Sequence, residues 1–512
     1  MQYPADQQDQ RFFGHPKPLK GLFFTELWER FSFYGIRPIL ILYMAAMVID
    51  GGLGLNRADA AAIVGIFAGS MYLLTILGGW IADNWLGQAR SVWYGSIIIA
   101  LGHLSIALNA FLDSFFFYFG LILIAAGTGL FKTCISVIVG TLYAAQDSRR
   151  DAGFSIFYMG INIGAFLAPL ITGLLIQDNG WHWGFAIGGV GMLVALLIFR
   201  FIATPQLLEN SAKYGTDQSW NTVVAYNPRA PKIVAVIVAI AAVMITLVSM
   251  GVIQIEPVLF ATYLTVIICL CMVGYFGYLL FFASLKRKEQ YQIVVCFILL
   301  LAAALFWSAF EQKPTSFNLF AHDYTNRQFF GFEIPTLWFQ SVNALFIITC
   351  APLAAWLWVK LGRANKDPSY IVKFVIALLL AGAGFVMMAM ASQSVIEHGQ
   401  LVSPLWIISS MLLLTLGELC LSPVGLSAMT KLAPAIIRGQ VMGLWFTASA
   451  LGNLMAGLIA SKATTLAIVD LPNLFMKCTI SLVIGAILLF LLRGPIKKLM
   501  ATEPSPSPSQ EA

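Results

Sequence analysis

The chain has 512 residues, of which 59% are hydrophobic and only 11% charged, with a formal net charge of +6. A water-soluble fold of this length would need far more polar surface, and the mean hydropathy of +0.83 excludes it. The apolar residues form long continuous runs without strand-like alternation, so an all-α membrane protein is predicted rather than a barrel.

In chain order, residues 1–20 are polar and carry His15, Lys17 and Lys20. They lack the apolar core and small-residue cleavage site of a signal peptide. Predicted spans follow at 22–49, 59–82, 91–111, 115–143, 152–176 and 183–202. A polar stretch rich in Asn, Ser and Thr covers 203–231, and two more spans are expected at 233–252 and 258–285. Six further spans are expected at 293–311, 337–359, 370–391, 405–430, 440–460 and 474–492, giving fourteen crossings. The end of the chain, EPSPSPSQEA, reads as a disordered tail.

Basic residues gather in alternate loops. Arg90, Arg149, Arg150, Lys213, Arg229, Lys232, Lys286, Arg287, Lys288, Lys360, Arg363, Lys366, Arg438, Arg493, Lys497 and Lys498 fall on one side, against Arg57, Arg327 and Lys462 on the other. This asymmetry explains the net charge without nucleic-acid binding, and it places both termini in the cytoplasm. Seven cysteines lie in apolar stretches with no metal-ligand spacing, so neither a disulfide framework nor a metal site is expected.

The segment Trp85 to Arg90 (WLGQAR) is echoed by Lys360 to Asn365 (KLGRAN) in the second half. With Asp83, Gly87 and Arg90 in DxxxGxxR spacing, this resembles the loop signature of the major facilitator superfamily, built from two six-helix halves. The expected organisation is an N-terminal six-helix bundle over 1–203, a cytoplasmic linker with two extra helices over 204–290, a C-terminal six-helix bundle over 291–495 and a disordered cytoplasmic tail over 496–512.

Charges inside spans are costly and mark function. Glu26, Glu29, Arg30, Phe33, Tyr34 and Arg37 share one face of the first span. Lys132 lies within the fourth span, Glu311 ends the run before a polar stretch, and Glu418 lies deep in its run before Pro423, where the helix should loosen. Competing readings are a structural ion-pair network for Glu26 and a snorkelling end-cap for Glu311. The set counts four acids (Glu26, Glu29, Glu311, Glu418) and three bases (Arg30, Arg37, Lys132). The surplus carboxylate is a candidate proton carrier. A zwitterion could join such a network, with Tyr34, Tyr72, Trp307 and Trp445 lining an adaptable pocket.

These residues resemble the proton-dependent oligopeptide transporter (POT/PTR) family, in its bacterial branch with two extra helices, from about His15 to Arg493. The ExxER pattern is met by Glu26, Glu29 and Arg30. FYMGINIGAFLAPL (157–170), FWSAFEQ (306–312), WFQSVNALF (338–346) and GELCLSPVGL (417–426) are similar to further family blocks. The resemblance implies that Arg37 and Lys132 contact a peptide carboxylate, that Glu418 takes the amine and that Asn162 and Asn343 bind backbone groups. It implies side-chain pockets shaped by Tyr34, Tyr72, Trp307 and Trp445. It further implies that Glu311 is the main protonation site, that Arg37–Glu311 and Lys132–Glu418 are the outer and inner gates, and that Glu26, Glu29 and Arg30 link the proton to Lys132. Two positions depart from the family: Phe33 where tyrosine is frequent, and Gly65 where animal relatives carry a proton-linked histidine. His103 is read as a packing residue.

The expected function is a proton-coupled symporter of di- and tripeptides, with protons as the coupling ion, no other cofactor, and a monomer sufficing in the bacterial inner membrane. The alternative on the same fold is a carrier of nitrate, an amino acid or a drug. A membrane enzyme is disfavoured because no HExxH, GxSxG or phosphate-cradling loop stands in its required context. A receptor without transport has no need of a proton-titrating network.

Overall fold

The computed structural model describes residues 9–496 except 145–146, 148, 216–217, 224, 284, 365, 433–437 and 466. The expected tail beyond 496, with Lys497 and Lys498, and Asn365 of the second-half echo lie outside the described residues. The long apolar runs become α1 (Pro18–Ala45), α2 (Arg57–Ile81), α3 (Gln88–Leu108), α4 (Phe115–Thr141), α5 (Arg150–Asn179) and α6 (Trp181–Ile198). A short α7 (Thr204–Tyr214) precedes α8 (Ala230–Ser249) and α9 (Pro257–Phe281). Then come α10 (Arg287–Phe310), the short α11 (Asn318–Tyr324), and a two-stranded hairpin of β1 (Gln328–Phe329) and β2 (Phe332–Glu333). The chain continues through α12 (Trp338–Arg363), α13 (Tyr370–His398), α14 (Leu405–Leu432), α15 (Arg438–Thr464) and α16 (Leu471–Leu491).

Among the described residues, 13 helices are long and apolar enough to cross a membrane. With α1 the long helices match the fourteen expected crossings. α1 falls short on composition alone, because Glu29, Arg30 and Arg37 sit in its last 18 residues. An antiparallel series of fourteen brings the start of α1 and the end of α16 to one end of the molecule, called here the terminal end; the α1–α2 connection marks the distal end.

Two helices overrun their expected limits through π-helical turns. Residues Phe199–Ala203 carry α6 on into α7, and Lys313–Phe317 carry α10 on into α11. A third such turn, Ala82–Leu86, ends at Gly87, whose φ of 78° suits glycine and whose missing side chain leaves room for the Thr222 carbonyl. The linker hydrogen-bonds this turn, Ala225 N to Asp83 O and Asn227 N to Asn84 O, each at 2.9 Å. α14 continues through Pro423 as one helix.

α1, α5 and α6 pack together, as do α3 and α4, and a core forms around Leu22, Ile39, Phe117, Phe131 and Phe185. α3 meets α4 through Gly95, Gly102, Gly120 and Gly127, where a Cβ would lie within 2.8 Å of a facing carbonyl. A second core gathers Phe306, Phe317, Phe374, Phe385 and Phe475 from α10, the following turn, α13 and α16. α8 lies almost wholly exposed, and α9 touches both α2 and α15.

The main contacts between the two cores' helices are α2 with α15 and α5 with α12, both near the distal end. There Gly65 meets Gly457, Gly173 meets Trp338, and Ser341 Oγ donates to Phe166 O at 2.7 Å. Arg57 pairs with Asp323, and Asn318 Nδ2 donates to Pro38 O at 2.8 Å. The distal end is shut.

At the terminal end residues 9–17 form a strap. The Asp9 carboxylate accepts from Arg11, from Lys17 N at 2.9 Å and from Asn210 Nδ2 at 2.7 Å. Arg149 donates to Asp9 O and Gly14 O at 3.1 and 3.0 Å, and the His15 ring meets Tyr143 Oη at 2.9 Å. Burial raises the Asp9 pKa, but the hydrogen bonds from Arg11 and Lys17 outweigh it and hold the carboxyl below its ordinary 3.8. A depressed carboxyl stabilises above its unfolded value and loses that contribution as pH falls through the folded one, so the strap should stay closed at neutral pH and loosen only below about 3.8. Asp9→Asn should open it at pH 7, read as roughly tenfold faster amide exchange over residues 9–17. Unchanged exchange would discard this account.

Candidate functional site

A cavity of about 340 Å³ lies midway along the helices, between α1, α2, α4 and α5 on one wall and α10, α12, α14 and α15 on the other. Twelve of the thirteen sequence-predicted site residues line it: Glu26, Arg30, Tyr34, Arg37, Tyr72, Lys132, Asn162, Trp307, Glu311, Asn343, Glu418 and Trp445. Glu29 does not; it stands behind Arg30.

The helical spacing of ExxER puts both carboxylates on one guanidinium. Arg30 Nε hydrogen-bonds Glu29 Oε2 and lies 3.2 Å from Glu26 Oε1, all three side chains being buried. Glu26 Oε2 and Arg30 NH2 have no hydrogen-bond partner among the described residues. The Arg30 and Arg37 guanidiniums flank the Phe33 ring, 5.4 and 5.7 Å from its centroid. The phenyl at this position thus serves both cations as a π-face.

Arg37 NH2 donates to Glu311 Oε2 at 2.5 Å and to Asn453 Oδ1 at 2.7 Å, tying α1 to α10 and α15. Lys132 Nζ sits 4.1 Å from the Tyr72 ring centroid. No ion pair joins Lys132 to Glu418 among the described residues; Glu418 Oε2 faces Asn343 Nδ2 at 3.4 Å. Asn162 spends its amide N–H on Tyr158 O of its own helix at 2.9 Å, which leaves its oxygen available. The Trp307 indole N–H is buried without a partner among the described residues, and Trp445 is buried against Gly425.

Sequence reasoning missed Lys313, Asn453, Tyr158 and Gln340. Lys313 is buried in the cavity wall, donates to Asn343 Oδ1 at 2.8 Å and stands over the Phe310 ring. It corrects the charge count, since four acids now face four bases. The surplus carboxylate inferred from sequence does not exist. A zwitterion leaves such a set neutral, and a proton adds the one unit of charge on which a membrane potential acts. Asn343 bridges Lys313, Thr415 and Glu418, so Asn343→Ala should remove a hydrogen bond from the buried Lys313 and one from the half-buried Glu418. Affinity for a zwitterionic ligand such as dialanine is expected to fall by about tenfold or more, measured by binding to purified protein; a change under twofold would remove Asn343 from the site.

Seven free cysteines are dispersed through the helices. His103 is buried and meets Ser32 Oγ at 2.7 Å, away from the cavity.

A charged cavity at mid-depth between two sets of membrane helices, shut at one end, defines a membrane transporter. The profile of the POT family matches residues 89–475. The chain is 60% identical over 490 residues to the peptide transporter YePEPT of Yersinia enterocolitica, covering 96% of each chain. It is 36% identical to the di-/tripeptide transporter of Lactococcus lactis subsp. cremoris, covering 97% of this chain and 98% of the relative. A crystal structure of a peptide transporter POT with sulfate superposes with a TM-score of 0.87 at 37% identity, covering 97% of this chain and 98% of that one. A POT family transporter crystallised with a thioalcohol-conjugated peptide gives a TM-score of 0.86 at 30% identity, covering 96% and 99%. The chain belongs to the POT family.

Proposed function

We propose that this protein is a proton-coupled symporter that imports di- and tripeptides by alternating access. The observation that carries the reading is the placement of opposite charges across one cavity, with Arg37 and Lys132 on one wall and Glu418 on the other. A zwitterion fits between them, its carboxylate on the bases and its amine on Glu418. Asn162 and Asn343 take backbone groups, and Tyr34, Tyr72, Trp307 and Trp445 shape the side-chain pocket. The names of the Yersinia and Lactococcus relatives support a peptide substrate.

Basic residues cluster at the terminal end, which the charge rule makes cytoplasmic; the membrane is then the bacterial inner membrane and the distal end faces out. Residues 1–203 and 291–495 are the two moving bundles, with 204–290 as linker and extra helices. One chain encloses the whole cavity, so a monomer suffices.

Facing outward, Glu311 takes a proton and releases Arg37 to the peptide carboxylate. The distal seam then closes. Peptide competes with a Lys132–Glu418 pair that seals the inner end in the opposite state, and the structure has that pair apart. Glu26, Glu29 and Arg30 pass the charge change to Lys132. No bond of the peptide is broken.

Labelled dialanine should accumulate in proteoliposomes under an inward proton gradient. An uncoupler and excess tripeptide should abolish this, free alanine should not, and the label should be recovered as intact dipeptide. Absence of uptake with or without a gradient, or competition by nitrate, would replace the peptide by another solute.

A further inference from the structure

A second cavity, of about 750 Å³, opens on the membrane-facing side of the α5–α12 seam near the distal end. Its inner wall is Phe166 and Leu170 of α5 against Phe339, Val342 and Leu345 of α12 and Ile408 of α14. No lining residue is charged, so the site suits neither a peptide terminus nor an ion. Polarity is graded along it. Asn326, Gln328 and Ser403 stand at the distal mouth, where the hairpin and the start of α14 meet. Leu345 lies seven residues into α12, about 10 Å deeper. At the mouth Phe329, Leu401 and Leu405 are exposed at 62%, 56% and 66%, apolar surface that continues the lipid-facing belt.

We propose that this cavity holds one acyl chain of a phospholipid from the distal leaflet, its headgroup region at Asn326, Gln328 and Ser403. A neutral trough, polar at the interface and apolar below, matches a lipid along its length and matches no water-soluble ligand. The site belongs to one conformation. Its walls come from both sides of a seam that Ser341–Phe166 and Trp338–Leu170 hydrogen bonds hold shut at 2.7 and 3.1 Å. Parting α5 from α12, as the alternating-access reading above requires, takes the inner wall away. A bound chain therefore favours the distally closed state, because it binds that state and not the other.

The test is native mass spectrometry of the full chain released from phosphatidylethanolamine-containing nanodiscs. One phospholipid should stay bound to the unaltered protein. Leu345→Trp and Ile408→Trp fill the trough from different helices, and each should lower occupancy about fivefold or more while dipeptide binding persists. Gly65→Val, which props the distal end, should lower occupancy too. No retained lipid in the unaltered protein, or equal retention in both tryptophan variants, overturns the site; equal retention in Gly65→Val overturns its state dependence. Lipid occupancy is read without transport, so failure of the peptide-symport reading shows in the dialanine experiment and not here.

Discussion

Glu311→Gln should abolish gradient-driven accumulation of a labelled dipeptide while preserving exchange. In the structure the Glu311 carboxylate holds Arg37 at 2.5 Å in a buried pair. Breaking such a pair by losing one charge costs about 3–5 kcal/mol unless another anion replaces it. In the proposed cycle the peptide carboxylate is that anion. Glutamine keeps the shape of the side chain and fixes it in the uncharged form, so Arg37 stays free for peptide while the proton site is lost. A one-proton symporter at 100 mV can accumulate substrate about 50-fold, and the variant's ratio should fall to about 1. Counterflow of labelled against unlabelled peptide should remain within about threefold, because loaded carriers still cross. Concentrative uptake by the variant would move the coupling proton elsewhere, with Glu26 the next residue to test.

The elements legible in the sequence were those that one helix or one apolar run defines. Glu26, Glu29, Arg30, Tyr34 and Arg37 announce a charged stripe because helical periodicity alone puts them together. Lys132 and Glu418 stand out because no other charged residue lies near them in their apolar runs. Lys313 was invisible for a local reason. The apolar run stops at Glu311, and Lys313-Pro314 after it reads as a helix end, so the lysine falls outside the expected span 293–311. The π-helical turn at Lys313–Phe317 carries the backbone onward and folds that lysine back into the cavity. Asn453 was hidden differently. Its helix carries few charges, and its contact with Arg37 joins residues 416 positions apart in the chain. Tertiary partners of this kind leave no periodic trace. No Lys132–Glu418 ion pair forms among the described residues, and under the proposed cycle that pair is expected in the opposite state.

Gly65→Val should bias the protein toward the distally open state and cut uptake by about tenfold or more. Gly65 has no room for a side chain: a Cβ would stand 2.8 Å from Gly457 Cα and 3.0 Å from the Asn453 carbonyl. Both are backbone groups, so relief requires moving α15 away from α2. Overpacking of this sort costs about 1–3 kcal/mol, and the cost falls only on the closed state, shifting the equilibrium about 5- to 150-fold. Each core is untouched, so folding should survive. Spin labels at Asp178 and Gln400, both exposed at the distal end, should report a longer separation in the variant. Wild-type distances with uptake inside twofold would show that the glycine contact does not set the closed state. The same geometry bears on proton coupling. Histidine at residue 65, which the resemblance places in animal relatives, is larger than valine and meets the same backbone. In this structure Asn453 meets Gly65 through its carbonyl and Arg37 through its side chain, so one residue links the tight helix contact to the Arg37–Glu311 pair. The close approach of α2 and α15 leaves no room for a histidine side chain at residue 65, and the proposed cycle accordingly assigns coupling to the carboxylates.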